Sequence, residues 1–184
     1  MKRFKLWFIL PMLGLFPVLG HGQVSEDQLR FSKGQDGLWN LDWSGLAVRT
    51  YFVQWSTNLV NWQYAPAIEF GLGSKQTRFN TTGRNQFFVR VVGVDDASIT
   101  TLQQAKDADF DADELSNAFE LMISGLDPRH QDSNGNGTLD KDELGMDDDL
   151  SHGFEQALGS DPQKSYEEGT ILTSSPLQLF LPNE

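Results

Sequence analysis

The chain has 184 residues, no cysteine and a formal net charge of −12 at pH 7. Without thiols it has neither a disulfide framework nor a thiolate metal site, so small modules must be held by packing or by hard, oxygen-seeking ions. Its charge is unevenly placed: residues 23–94 carry seven Lys or Arg against five Asp or Glu, whereas residues 95–168 carry four against twenty. So acidic a second half repels nucleic acid and anionic lipid, which removes both as partners unless multivalent cations intervene.

Residues 1–22 read as an export signal. Lys2, Arg3 and Lys5 precede an apolar run from Leu6 to Leu19, and Gly20-His21-Gly22 supplies a small-x-small cleavage site. Pro11, Gly14 and Pro17 interrupt the run, and it falls short of the ~20 apolar residues that cross a bilayer. The expected mature chain therefore has no membrane span, is secreted or held at the cell surface, and is large enough for one or two small domains.

Residues 23–94 have period two. Leu38, Asn40 and Asp42 alternate with Trp39, Leu41 and Trp43; Tyr51, Val53 and Trp55 with Phe52 and Gln54; Phe87, Val89 and Val91 with Phe88, Arg90 and Val92. Turn-formers stand at Gly34 to Gly37, Ser44-Gly45, Thr57-Asn58, Gly71 to Ser74 and Thr82-Gly83. The pattern predicts about six short antiparallel strands with hairpin-like connections, closing into a small β-sandwich or half-barrel. Trp39, Trp43, Trp55 and Trp62 crowd this module. Flat aromatic faces stack on pyranose rings, but alternation puts Trp39 and Trp43 on one strand face, as core packing requires. Trp62, in the polar "NLVNWQ" turn, is the candidate for exposure.

After an expected linker at 95–106, residues 107–168 carry most of the acid. The twelve residues "DSNGNGTLDKDE" match a calcium loop position by position. Calcium takes six to eight oxygens, supplied by positions 1, 3, 5, 7, 9 and 12 of such a loop, with glycine at position 6 for the sharp turn. Asp132, Asn134 and Asn136 stand at 1, 3 and 5, Gly137 at 6, Thr138 at 7 with its carbonyl, Asp140 at 9 acting through water, and Glu143 at 12 with two oxygens.

A second copy lies upstream in "DFDADELSNAFE". Asp109, Asp111 and Asp113 take 1, 3 and 5, Leu115 offers its carbonyl, Asn117 is at 9 and Glu120 at 12. Glu114 replaces the glycine at 6, where a positive φ costs on the order of 1 kcal/mol. Starting the frame at Asp107 instead would place Ala118 at 12 and lose the closing acid, so the Asp109 frame is preferred, with Asp107 left to assist from outside. Only Leu121 to Gln131 separates the loops, too short for the two helices and turn of a conventional EF-hand pair. One short helix fits, with Asn117 and Glu120 as its capping box, a stripe of Leu115, Phe119, Met122 and Leu126, and a stop at Gly125 and Asp127-Pro128.

"LSNAFELMISGLDP" (115–128) returns in weaker form as "LSHGFEQALGSDP" (150–162), an internal repeat in which Leu150 and Glu155 answer to Leu115 and Glu120. Leu144, Met146 and Asp148 stand where its ligands 1, 3 and 5 belong, so its metal site is expected to be lost while its helix persists. His130 and His152 lack the spaced partners of a zinc site. The tail, residues 169–184, has strand-like residues and no sorting motif.

Two resemblances accompany these readings. "TYFVQWSTNLVNWQ" (50–63) with "NQFFVRVVGV" (85–94) resembles a module common in exported proteins of some environmental bacteria, itself similar to a fibronectin type III sandwich. Asp-rich loops, brief helices and "GxDP" stops over 107–162 resemble bacterial thrombospondin type 3 calcium-binding repeats, and "NGNGTLDKDE" alone is similar to an EF-hand loop. The thrombospondin type 3 and EF-hand likenesses imply Ca2+ at the loop positions named above.

The expected fold is mainly β: a small antiparallel β-sandwich followed by a loop-rich calcium-binding repeat region with short helices. The expected function is that of an exported, non-enzymatic calcium-binding protein whose acidic repeat supports or presents the β module for attachment to a surface or polymer, with polysaccharide or another cell-surface protein as partner. The second reading is a carbohydrate-binding accessory module with the repeat as spacer. Hydrolysis by paired carboxylates is disfavoured, because the acids have metal-ligand spacing and no apolar cleft to raise a pKa.

Overall fold

The structure is a computed structural model describing residues 29–145 and 150–164. The expected signal at 1–22, the tail at 169–184, and Met146 and Asp148 of the degenerate repeat lie outside the described residues. Among the described residues the chain is mainly β, with two small antiparallel sheets and a few short helices. It divides into two compact units between Ala108 and Asp109.

The first unit holds six strands: β1 (Arg30–Lys33), β2 (Trp39–Gly45), β3 (Arg49–Ser56), β4 (Gln63–Phe70), β5 (Gly73–Phe79) and β6 (Phe88–Asp95). One sheet has the order β1-β2-β5, the other β4-β3-β6. Only β1–β2 and β3–β4 are hairpins; the chain changes sheet after β2, after β4 and after β5. The expectation of hairpins throughout is therefore corrected. At Gly45 the reason is visible, since a Cβ there would stand 2.1 Å from the Gly71 carbonyl oxygen. The two points where the chain leaves one sheet for the other press backbone against backbone, and only glycine leaves room.

A buried cluster draws Leu41 and Trp43 from β2, Tyr51 and Val53 from β3, Ala65 from β4, Phe79 from β5, Val91 from β6, and Phe87. Of the pair expected on the core face of β2, Trp43 is in the cluster and Trp39 is half-buried outside it. Phe52 and Gln54, on the opposite face of β3, are also buried, so neither face of this middle strand meets water there. Phe52 meets Tyr64 edge-on at 5.8 Å, and Gln54 accepts from Arg90 Nε at 2.5 Å. β4 is an edge strand, as its Pro66 requires, and the ladder is irregular between Phe52 and Gln54.

The segment expected to be a linker contains α1 (Leu102–Asp107), which packs on β4. Thr101 and Gln104 form a reciprocal capping box at its start, satisfying two otherwise unpaired donors. Ile99 and Ala105 are buried, so this stretch belongs to the β unit rather than joining two units freely.

The second unit has α2 (Asn117–Glu120), a 3-10 turn (Asp140–Asp142) and α3 (His152–Leu158). The cap of α2 is Ser116, whose side chain accepts from Phe119 N–H, and not Asn117. Since α2 ends at Glu120, the stripe is shorter than expected: Leu115, Phe119 and Leu126 form the buried cluster with Ile123 beside it, while Met122 is exposed. α3 repeats the arrangement, with Ser151 accepting from Phe154 N–H, Gly159 closing the helix at φ 67° and Glu155 buried as Glu120 is.

Candidate metal centre

The two acidic loops share one backbone design. In the first, Ala112 and Glu114 N–H donate to Asp109 Oδ1 and Oδ2 at 2.6 and 2.9 Å. Asp113 N–H donates to Asp111 Oδ1 at 3.3 Å, and Leu115 N–H to Asp113 Oδ1 at 2.7 Å. In the second, Gly135 and Gly137 N–H donate to Asp132 Oδ1 and Oδ2 at 2.8 and 2.7 Å. Asn136 N–H donates to Asn134 Oδ1 at 2.9 Å, and Thr138 N–H to Asn136 Oδ1 at 2.7 Å. Position 1 thus gathers the amides of positions 4 and 6, while positions 3 and 5 each take the amide two residues on. Short oxygen-bearing side chains favour such local bonds, which bend the chain into a ring.

Such a ring demands left-handed backbone at positions 4 and 6. Gly135 and Gly137 supply it without strain (φ 73° and 90°), whereas Ala112 and Glu114 adopt it at φ 65° and 78°. The cost expected at Glu114 is present, and a second such position, Ala112, was not foreseen. Neighbouring side chains hold the strained loop. Gln131 Nε2 donates to the carbonyls of Asp111 (2.5 Å) and Ala112 (3.2 Å). Gln156 of α3 accepts from Ser116 N–H at 2.7 Å and donates to the Glu114 carbonyl at 2.9 Å. Neither glutamine carried a signal in the sequence, because its partner is distant along the chain.

Three groups of carboxylates converge, each with one oxygen per residue within 4.8 Å of the others: Asp109 with Asp111 and Asp113; Asp113 with Glu120 and Asp140; Asp132 with Asp140 and Glu143. Oxygens bound at 2.3–2.6 Å to one calcium ion can lie up to about 5 Å apart, so each group is compatible with a common ion. Asn134 and Asn136 do not stand apart from the second loop's acids. Both Nδ2 atoms donate to Glu143 Oε1, at 2.6 and 2.8 Å, and draw position 12 toward the loop. Asn117, at position 9 of the first loop, is buried at the start of α2, as is Leu115 just before it. Thr138 is exposed. Asp107 belongs to none of the three groups; it ends α1 and accepts from Gln103 Nε2 at 2.8 Å.

Burial makes this accumulation costly for bare carboxylates. Glu120 is fully buried, and neither carboxylate oxygen has a hydrogen-bond partner. Its pKa is pushed up to about 10 by burial first, then by Asp111, Asp113, Asp140 and Asp109. Asp111 is pushed up to about 7 by burial and by the charge of Asp113. Asp113 is raised by burial, against the Leu115 N–H bond that favours its charged form. A buried anion without a partner takes up a proton or a cation, and these oxygen ligands on rings of this size suit a hard divalent ion.

The tryptophans are packed. Trp43 is buried against Tyr51, Trp39 stacks on Phe31 at 4.9 Å, Trp55 stacks on Phe87 at 5.7 Å, and Trp62 lies under the Arg90 guanidinium at 4.1 Å. Trp62, nominated for exposure, is half-buried, since its face is taken by a cation. No helix among the described residues is long and apolar enough to cross a membrane. Comparison of the chain with family models, curated proteins and solved structures finds no match.

Proposed function

We propose that the protein is an exported, non-enzymatic calcium-binding protein, in which Ca2+ orders the acidic unit and that unit supports or presents the β unit to a surface or polymer, with polysaccharide or another cell-surface protein as the partner. In this reading the β unit is a small antiparallel sandwich of fibronectin type III-like character. The second unit is a repeat region of the thrombospondin type 3 kind. The observation that carries the proposal is the shared hydrogen-bond design of loops 109–120 and 132–143: two sequences that differ at most positions bend into the same ring with acids turned inward.

Each loop supplies what calcium requires, namely carboxylate and amide oxygens at positions 1, 3 and 5, a backbone carbonyl at 7 and a glutamate at 12. In the second loop, binding requires the Asn134 and Asn136 amides to turn their oxygens inward in place of the nitrogens that meet Glu143. An exported module working in millimolar calcium functions with dissociation constants of ~10⁻⁴ to 10⁻³ M, and binding stabilises the ordered form by mass action. Calorimetric calcium titration of the mature protein, with circular dichroism in parallel, tests the proposal. Uptake of calcium with a gain of structure is expected, and absence of both heat and structural change overturns it.

A further inference from the structure

Asp140 lies where two carboxylate groups meet. One of its oxygens is within 4.8 Å of oxygens of Asp113 and Glu120 from the first loop, and one is within 4.8 Å of oxygens of Asp132 and Glu143 from its own loop. We propose that Asp140 is a bridging ligand shared by two divalent cations, so that the two loops bind calcium as one two-ion centre rather than as separate sites. This inference rests on the calcium-binding reading and adds to the first loop a ligand that the first loop's own spacing does not assign.

At position 9 the first loop supplies only an amide, and Asp140 adds a carboxylate to its acids. Positions 1, 3, 5 and 12 provide Asp109, Asp111, Asp113 and Glu120, whereas position 9 is Asn117, placed in the first turn of α2. Glu120 is fully buried with both oxygens lacking a hydrogen-bond partner, and Asp113 Oδ2 is buried and equally without one. One oxygen of each lies within 4.8 Å of the others and of one from Asp140, an arrangement of like charges that uptake of a proton or a cation relieves. An isolated acidic cluster at a surface would direct its oxygens to water; this one directs them inward.

Asp140 is itself built to be shared. It is fully buried. Ser133 N–H donates to its Oδ1 at 3.0 Å and Ser133 Oγ to its Oδ2 at 2.6 Å. Each carboxylate oxygen has two lone-pair sites, so Ser133 occupies one on each and leaves one on each for an ion. The backbone is fixed as well: Asp140 N–H donates to the Gln131 carbonyl at 2.8 Å, and His152 Nδ1 meets the Asp140 carbonyl at 2.9 Å. With calcium–oxygen distances of 2.3–2.6 Å, two ions sharing one carboxylate lie within roughly 7 Å of each other.

The test uses the full mature chain. Calcium titration calorimetry is expected to give two ions per chain for the wild type. Asp132→Asn, which alters only the second loop, should weaken chiefly one step, and Asp140→Asn should weaken both steps by about tenfold or more. Loss of a single step in Asp140→Asn overturns the bridge while leaving calcium binding intact. No calcium uptake by the wild type overturns the bridge together with the reading beneath it. Because Asp140→Asn can also disturb folding, the unaltered protein supplies an independent measurement: loaded with Tb3+ and Nd3+ together, it should show strong quenching of Tb3+ emission by energy transfer. Two bound lanthanides without such transfer overturn the proposal.

Discussion

Ala112 and Gly135 occupy the same place in two successive loops. Both have left-handed backbone, at φ 65° and 73°, and both donate their N–H to Oδ1 of the aspartate that opens the loop. A Cβ at this conformation costs on the order of 1 kcal/mol. Ala112→Gly should therefore stabilise the acidic unit, by somewhat under 1 kcal/mol once the added freedom of the unfolded chain is counted. Gly135→Ala should destabilise it by about 1 kcal/mol. Urea unfolding at fixed calcium measures both, and effects of the same sign would contradict the equivalence of the two positions.

Removing the buried charge at position 12 separates stability from binding. In Glu120→Gln the side chain keeps its size but no longer confines a carboxylate among Asp111, Asp113 and Asp140. The calcium-free variant should unfold at a higher temperature than the calcium-free wild type. Its calcium affinity at the first loop should fall on the order of 100-fold through loss of a ligand. Thermal melts and calorimetry on the same sample check the pair of outcomes; an unchanged affinity would remove Glu120 from the ligand set.

Acidity should act in opposite directions with and without calcium. Glu120 and Asp111 have pKa values raised in the folded chain, to about 10 and about 7 from ordinary values of 4.5 and 3.8. Groups raised in this way contribute stability that is complete below the ordinary value and is lost as pH rises through the raised one. The calcium-free acidic unit should thus melt higher at pH 5 than at pH 8. Calcium needs the carboxylates ionised, so in excess calcium the order should reverse. In the β unit, Asp95 is lowered by its bonds from Arg49, so its contribution is present above pH 4 and lost on stronger acidification; proteolysis fragments or resolved melting transitions can report the two units separately.

A single methyl group at the sheet crossing should be poorly tolerated. Gly45→Ala brings a Cβ to 2.1 Å from the Gly71 carbonyl oxygen, and both backbones are held, Gly45 by pairing with Gly73 in the β2–β5 ladder and Gly71 by its N–H bond to the Arg49 carbonyl at 3.0 Å. The expected loss is about 2 kcal/mol or more, typical of overpacking where nothing can yield. Gly37→Ala is the comparison, since no atom lies within 4 Å of its added Cβ and only the positive φ of 82° opposes it. Equal losses in equilibrium unfolding would show that steric crowding at Gly45 is not the cause.

The sequence alone carried the strand alternation on β2 and β3 and the frames of both acidic loops. It also carried the echo of Leu115 and Glu120 in Leu150 and Glu155. Each depends on neighbours within a few positions: the bonds from positions 4 and 6 to the opening aspartate are made inside the loop, and alternation follows from the geometry of a single strand. Where chain return decides, the pattern misled, predicting hairpin-like connections at points where the chain changes sheet. Nothing local distinguishes a hairpin from a crossing between sheets, so the close passage of Gly45 and Gly71 appears only in three dimensions. Likewise, Asp140 has one place in its own loop by spacing and a second place beside Asp113 and Glu120 by folding. Tertiary structure alone removes water from Glu120 and brings acids from two loops together, because desolvation and long-range repulsion depend on what surrounds a side chain and not on what precedes it.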